Sequence, residues 1–374
     1  MFMRNESAAG RGASNAPTVA RQPAEGATGR ADHRNNFNLL RFVFASLVIL
    51  SHAPELRDGN RQHELLSRAF GTISFGELAV DSFFLLSGFL IVQSWRGRPE
   101  VGAFLRSRIL RIYPGFIGSA LVCAFLVGPF VGSTSYFQDF SWTKFSAGVA
   151  VLSLHGIPTV FPGATNTVIN GAVWTIPYEF LCYLLVLGCG LAGVLQRRWT
   201  WLALFVASVA IHAADQAGVV HLPFALHHFA RFAMAFTAGG CFQLYFQQIP
   251  WRRDLAAIAL LLAIALLFSK VLAEPGVCLF WGYAVFFYAM AGRSLLRFNH
   301  LPDVSYGVYL YAWPINKLVL WAFPGLDLLV LIPAVFALSL LAGIASWYLV
   351  ERPFMQLKKA YRRPPRFAPS VASA

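Results

Sequence analysis

Ten stretches of this chain are apolar and close to long enough to cross a lipid bilayer, at about 38–54, 72–95, 114–133, 172–194, 199–214, 228–246, 254–272, 276–291, 305–324 and 327–350. The fifth and eighth are short. Inside lipid every backbone N–H and C=O must find a partner within the protein, so such runs fold as helices. The reading is all-α, a polytopic membrane helix bundle of about ten transmembrane helices. A content of 57% hydrophobic and 13% charged residues fits that class and not a soluble domain. The stretch 145–155 is apolar but too short to span, and reads as a re-entrant or interfacial piece.

The basic residues orient the bundle. With the N-terminus inside, 22 of the 30 Lys and Arg fall on inner segments, among them Arg96, Arg98, Arg106, Arg108 and Arg111, whereas the outer loops hold Arg57, Arg61, Arg68 and Lys144. Both termini are therefore expected in the cytoplasm, with the chain multi-pass in the plasma (inner) membrane. The net charge of +13 does not point to nucleic acid, because the basic residues lie in short blocks between apolar runs. The five cysteines (Cys123, Cys182, Cys189, Cys241, Cys278) sit inside those runs without close pairs, as small packing residues and not as a disulfide frame or metal site. Three regions are expected: a disordered cytoplasmic tail at 1–36, a membrane domain at 37–354 and a basic cytoplasmic tail at 355–374. Residues 1–36 have no apolar core and do not read as a secretory signal.

Within the first run, Arg41 and His52 are eleven residues apart, which places them on nearly one face of a helix, roughly 16 Å apart along its axis. A lipid-facing arginine is costly there, so a polar stripe facing the bundle interior is one reading. The other is that both side chains snorkel to opposite interfaces. In the second run Glu77 and Asp81 share a face near the outer end, and Ser87 and Gly88 are small enough to admit a close neighbouring helix. Arg106, Arg108 and Arg111 adjoin the membrane on the inner side, either as anchors or as a clamp for phosphate, which guanidinium forks match well. Pro114 fits the first turn of the span that follows.

The outer stretch 134–171 is long, and its Trp142, Asn166 and Asn170 suit either sugar stacking and hydrogen bonding or interface anchoring. Glu179 follows Trp174 near the outer end of the fourth run, at about the depth of His52 and Asp81. A histidine and two carboxylates at one level can handle protons. Arg231 and Lys317 lie deep in apolar runs with no partner evident from the sequence.

The order of these motifs resembles acyltransferase family 3, the integral-membrane trans-acylases that include bacterial O-antigen and exopolysaccharide O-acetyltransferases. The matching pieces are Arg41 and His52, Val80-Asp81-Ser82-Phe83-Phe84 with Ser87-Gly88-Phe89-Leu90, Arg108 to Pro114, Trp174 to Glu179, Ser305 to Pro314, and Glu351-Arg352-Pro353-Phe354. Two features depart from the pattern. Ala312-Trp313 stands where many members carry a histidine, and no extracytoplasmic hydrolase-like domain is expected after the tenth span.

The resemblance implies an acyl-CoA donor, acetyl-CoA in most members, used from the cytoplasm as a substrate and not held as a permanent cofactor. It implies a hydroxyl acceptor on a glycan, such as exopolysaccharide or lipopolysaccharide, on the far side. In that picture His52 is a general base or transient acyl carrier, with Glu179 or Asp81 fixing its tautomer and Arg41 holding the donor or balancing a carboxylate. Donor contacts would come from Arg106, Arg108, Arg111, Ser87 and Gly88, and acceptor contacts from Trp174, Trp142 and Asn170. No metal is expected. The competing readings are a transporter using the same buried charges as a proton or substrate path, and an assembly protein in which they only anchor.

Overall fold

In the computed structural model, which describes residues 35–164, 166–291 and 302–360, the chain is helical, with no strand among the described residues. The expected tails fall outside them, apart from 35–36 and 355–360, as do Arg293 and Arg297. The long helices are α1 (Phe37–Asp58), α2 (Phe75–Gly97), α3 (Val101–Leu121), α4 (Ile176–Leu191), α5 (Arg198–Gln216), α6 (Phe224–Leu244), α7 (Arg253–Leu266), α8 (Gly282–Ala291), α9 (Ser305–Ala322) and α10 (Leu328–Ser346). Five segments are long and apolar enough to cross a membrane: Phe37–Asp58, Phe75–Gly97, Val101–Val131, Ala172–Leu191 and Leu328–Leu357. The other apolar runs also hold helices, but α7 and α8 have only 14 and 10 residues, and α5, α6 and α9 are diluted by polar side chains.

Local chemistry sets several boundaries. Gly59 closes α1 at φ +71°, a left-handed geometry that glycine adopts without steric cost, and its N–H returns to the Glu55 carbonyl. A reciprocal cap opens α2: the Ser74 hydroxyl accepts from the Glu77 N–H at 3.1 Å, and the Glu77 carboxylate accepts from the Ser74 N–H at 2.8 Å. Asp327 caps α10 through the Leu329 N–H at 2.8 Å. At α3 the sequence expectation fails. Pro114 is interior to the helix and does not begin it, because the arginine segment before it is already helical from Val101. Proline removes one backbone donor there without ending the helix.

The central contact is α2 against α6, and glycine makes it close. A Cβ on Gly88 would stand 1.9 Å from the Phe236 carbonyl oxygen, and one on Gly239 would stand 2.0 Å from that of Leu85. In lipid, where apolar association gains little from water release, such backbone proximity supplies the van der Waals contact that holds helices together. α1 lies against α2, α9 and α10. The outward face of α10 is apolar and uncovered, with Leu329 85% exposed, as a lipid-facing helix requires.

Between α3 and α4 the chain doubles back. A short helix, Trp142–Ala150, lies along α3, with the Trp142 ring stacked on Phe125 at 5.7 Å and the Tyr113 hydroxyl donating to the Ala150 carbonyl at 2.8 Å. The chain then returns, and residues 166–171 run beside α9. There Trp313 Nε1 donates to the Val168 carbonyl at 3.1 Å and Asn170 Nδ2 donates to that of Leu310 at 2.8 Å. Lys317, buried within α9, donates to the Asn166 carbonyl and lies over the Phe161 ring at 4.8 Å. α4 therefore starts partway along α9, which decides where Glu179 ends up. Helical structure also continues past residue 354, the expected edge of the membrane domain, to Ala360.

Candidate active site

A cavity of about 350 Å³ opens between α1, α2, α3, α4 and α9. Its cationic end brings Arg41 from α1 together with Arg108 and Arg111, three residues apart on one face of α3. Asp303, just before α9, sits between two of them. Arg41 Nη1 donates to its Oδ2 at 3.1 Å and Arg111 Nη2 donates to the same atom at 2.6 Å, while the Ser305 hydroxyl donates to Oδ1 at 2.5 Å. Burial alone would raise the Asp303 carboxyl, but the guanidiniums of Arg111 and Arg41 override it and hold it at about 2.

The middle of the cavity is lined from α4. Thr175, Glu179 and Tyr183 repeat every four residues, so they form one polar stripe down the wall. Glu179 Oε1 accepts from the Tyr183 hydroxyl at 2.5 Å and from the Ser87 hydroxyl at 2.9 Å. The far end closes where Thr175 and Tyr309 share a hydrogen bond of 2.7 Å and the Phe83 ring meets that of Tyr309 at 6.2 Å.

His52 lies beyond this closure. Its ring is edge-on to Trp313 at 4.8 Å, one α9 turn past Tyr309, and His52 is not part of the cavity lining. Arg41 and His52 do share the inner side of α1, but one reaches the cavity and the other stands past its blind end. His52 Nδ1 is 2.9 Å from Glu55 Oε2. A carboxylate can only accept, so this contact places a proton on Nδ1, and in the neutral imidazole the lone pair is then on Nε2. Arg61 holds Glu55 from outside at 3.7 Å and also reaches Glu77 at 3.5 Å.

The expected grouping of His52 with Asp81 and Glu179 is not formed. Glu179 follows α4 to the cavity, about two turns from the level of His52, because α4 starts low. Asp81, 1% exposed, is held bidentately by Arg231, through Nε to Oδ1 at 3.2 Å and Nη2 to Oδ2 at 3.0 Å. Arg231 also meets Glu274 at 2.9 Å, and His212 pairs with that same Glu274. The partner of Arg231 was hidden in the sequence because it lies 150 residues away, although a buried arginine on one helix demands a carboxylate at its depth on another.

Other expected contacts separate as well. Arg106 points away from the cavity and is exposed, since it is two residues and so over half a turn from Arg108. Gly88 is occupied by the α2–α6 crossing, whereas Ser87 beside it does line the cavity. Trp174, Trp142 and Asn170 do not converge. Trp174 packs on Tyr178, His228 and Phe232, and Trp142 is 58% exposed, stacked on Phe125 past the end of α3. Asn170 is buried, its amide used between the Leu310 carbonyl and the Ala172 N–H. Asp303, Tyr183 and Tyr309 were not singled out as site residues, although the spacing of Tyr183 from Glu179 and the tyrosine-rich start of α9 both carried the signal.

The sequence profile of an acyltransferase domain, that of acyltransferase family 3, matches residues 34–351. Among curated proteins, an O-acetyl transferase of Shigella phage Sf6 is 28% identical over 340 residues, covering 86% of this chain and 97% of the phage protein. Nodulation protein 10 of Rhizobium leguminosarum bv. viciae is 28% identical over 369 residues, covering 87% and 94%. No solved structure matches the chain. The matched region takes in the whole cavity lining except Met355, and by that match the chain belongs to acyltransferase family 3.

Proposed function

We propose that this protein is a membrane O-acyltransferase that moves an acyl group, acetyl by analogy with the phage relative, from cytoplasmic acyl-CoA to a sugar hydroxyl outside the inner membrane. The observation that carries the reading is the cavity: arginines at one end, a polar stripe along the wall, and a blind end one helical turn from a carboxylate-paired histidine. About ten spans with both termini cytoplasmic follow from the apolar runs and the basic residues, and put the arginines inside and His52 outside.

In this reading the donor's phosphates lie against Arg108, Arg41 and Arg111. A volume of about 350 Å³ is at the lower end of the roughly 300–1,000 Å³ of small-molecule pockets, so it takes the acylated pantetheine arm while the nucleotide stays at the mouth. Ser87, Glu179 and Tyr183 offer hydrogen bonds along that arm. For transfer, the layer of Phe83, Thr175 and Tyr309 must open between thioester and His52. His52 Nε2 then removes the acceptor hydroxyl proton as the new O–C bond forms and the C–S bond breaks. The thiolate leaves with the electron pair and takes a proton from the cytoplasmic solvent, and His52 gives its proton up to solvent on the outer side. Glu55, in place of Glu179 or Asp81, holds the imidazole tautomer and steadies the imidazolium.

The test is transfer from labelled acetyl-CoA into extracytoplasmic glycan, in membranes carrying wild type or His52→Ala. Incorporation should fall by about 10²–10⁴ in the variant at equal protein level. Equal incorporation in both would remove His52 from the mechanism, and none in either would favour a transporter.

A further inference from the structure

The arginine end of the cavity is not uniformly cationic. Arg41 and Arg111 come from different helices, yet both spend N–H groups on one oxygen of Asp303. Asp303 is itself fixed by the Ser305 hydroxyl, and Arg111 Nη1 lies 3.5 Å from Glu351 Oε2. Arg108 differs. Its Nε donates to the Ser107 hydroxyl at 2.9 Å, and its guanidinium lies over the rings of Phe104 and Tyr183 at 5.7 and 5.8 Å, so among the described residues its direct contacts are to neutral groups, with the Glu179 carboxylate acting on it at longer range. Each charged pair there is mostly buried, where a unit charge acts across the cavity with little screening.

We propose that Asp303 sets the anion affinity of this cavity. It competes with incoming phosphate for Arg41 and Arg111 and leaves Arg108 as the first contact of an anionic donor. The inference rests on the reading of the cavity as a donor site. Acyl-CoA and the CoA product carry the same phosphates, so three unopposed arginines would bind both equally well. Such uniform binding lowers KM without raising kcat, and holds the product back. An internal carboxylate relieves this by weakening the two forms together.

The experiment titrates CoA into the purified full-length protein in lipid nanodiscs, at low and at physiological salt. Asp303→Asn should bind CoA on the order of tenfold more tightly than wild type, with steeper salt dependence. Its KM for acetyl-CoA should fall together with kcat, as release of CoA slows. Arg108→Ala should bind CoA more weakly. Ser305→Ala keeps the carboxylate charge but frees it to move, so it should tighten binding by a smaller factor. It carries the test if Asp303→Asn does not fold. Unchanged or weaker CoA binding by folded Asp303→Asn and Ser305→Ala would overturn the proposal. If no form binds CoA at millimolar concentration, the donor reading fails, and inorganic pyrophosphate becomes the probe. Tighter pyrophosphate binding by Asp303→Asn would still uphold the role of Asp303, and equal binding would end it.

Discussion

At the scale of single residues, the role proposed for His52 depends on a neighbour three positions on. Glu55 is held by Arg61 and meets Nδ1, which leaves Nε2 available for the proposed action on a hydroxyl. Glu55→Gln should therefore lower the transfer rate about 10- to 100-fold, less than His52→Ala, because Nδ1 loses the carboxylate that fixes its proton. Initial rates of both variants at equal protein level check this order. Asp303 gives a pH statement. Its carboxyl is held at about 2, below its ordinary 3.8, so its stabilising ion pairs are fully formed above about pH 4 and are lost only as pH falls toward 2. The stability difference between wild type and Asp303→Asn should accordingly be flat from pH 5 to 8 in thermal unfolding. A difference that grows across that range would mean another group holds the arginines. Neither neighbour was legible as a partner beforehand, since the sequence shows that Glu55 is near His52 but not which way the rings and carboxylates turn.

Elements carry a different kind of information. The glycine of Ser87-Gly88 is fixed by backbone proximity, not by a ligand, and this makes a sharp contrast among glycines of one helix. Gly88→Val drives a side chain into the Phe236 carbonyl and should destabilise the protein by at least about 2 kcal/mol in unfolding measurements. Gly97→Ala, with nothing within 4 Å, should be close to neutral. α4 shows how an element can be right in sequence and wrong in depth. Its apolar run was evident, yet the non-helical lead at 166–171, tied to Leu310, Trp313 and Lys317, delays the helix and drops Glu179 into the cavity. Those ties join residues more than a hundred positions apart, and no local pattern encodes them.

For the whole molecule, orientation is the property on which donor and acceptor placement depends. With the native cysteines replaced, Thr134→Cys and Val219→Cys should react with an impermeant thiol reagent in intact cells, and Glu100→Cys should not; all three positions are exposed. Labelling of Glu100→Cys would invert the assignment of sides. The sequence by itself determined the helical class and the family, because apolar runs in lipid admit few folds, and it singled out Arg41, Arg108 and Glu179 of the cavity lining, because charged groups are costly where they stand. It also put Arg41 and His52 on one face, which needs only the helical repeat. Only the tertiary structure decided who meets whom: Asp81 with Arg231, Glu179 with Ser87, Asp303 between two arginines, and a wall of Phe83 and Tyr309 before His52. Such pairings depend on the depth and rotation of separate helices, which are fixed by close glycine crossings and long-range backbone ties, and a shift of one turn would exchange every partner.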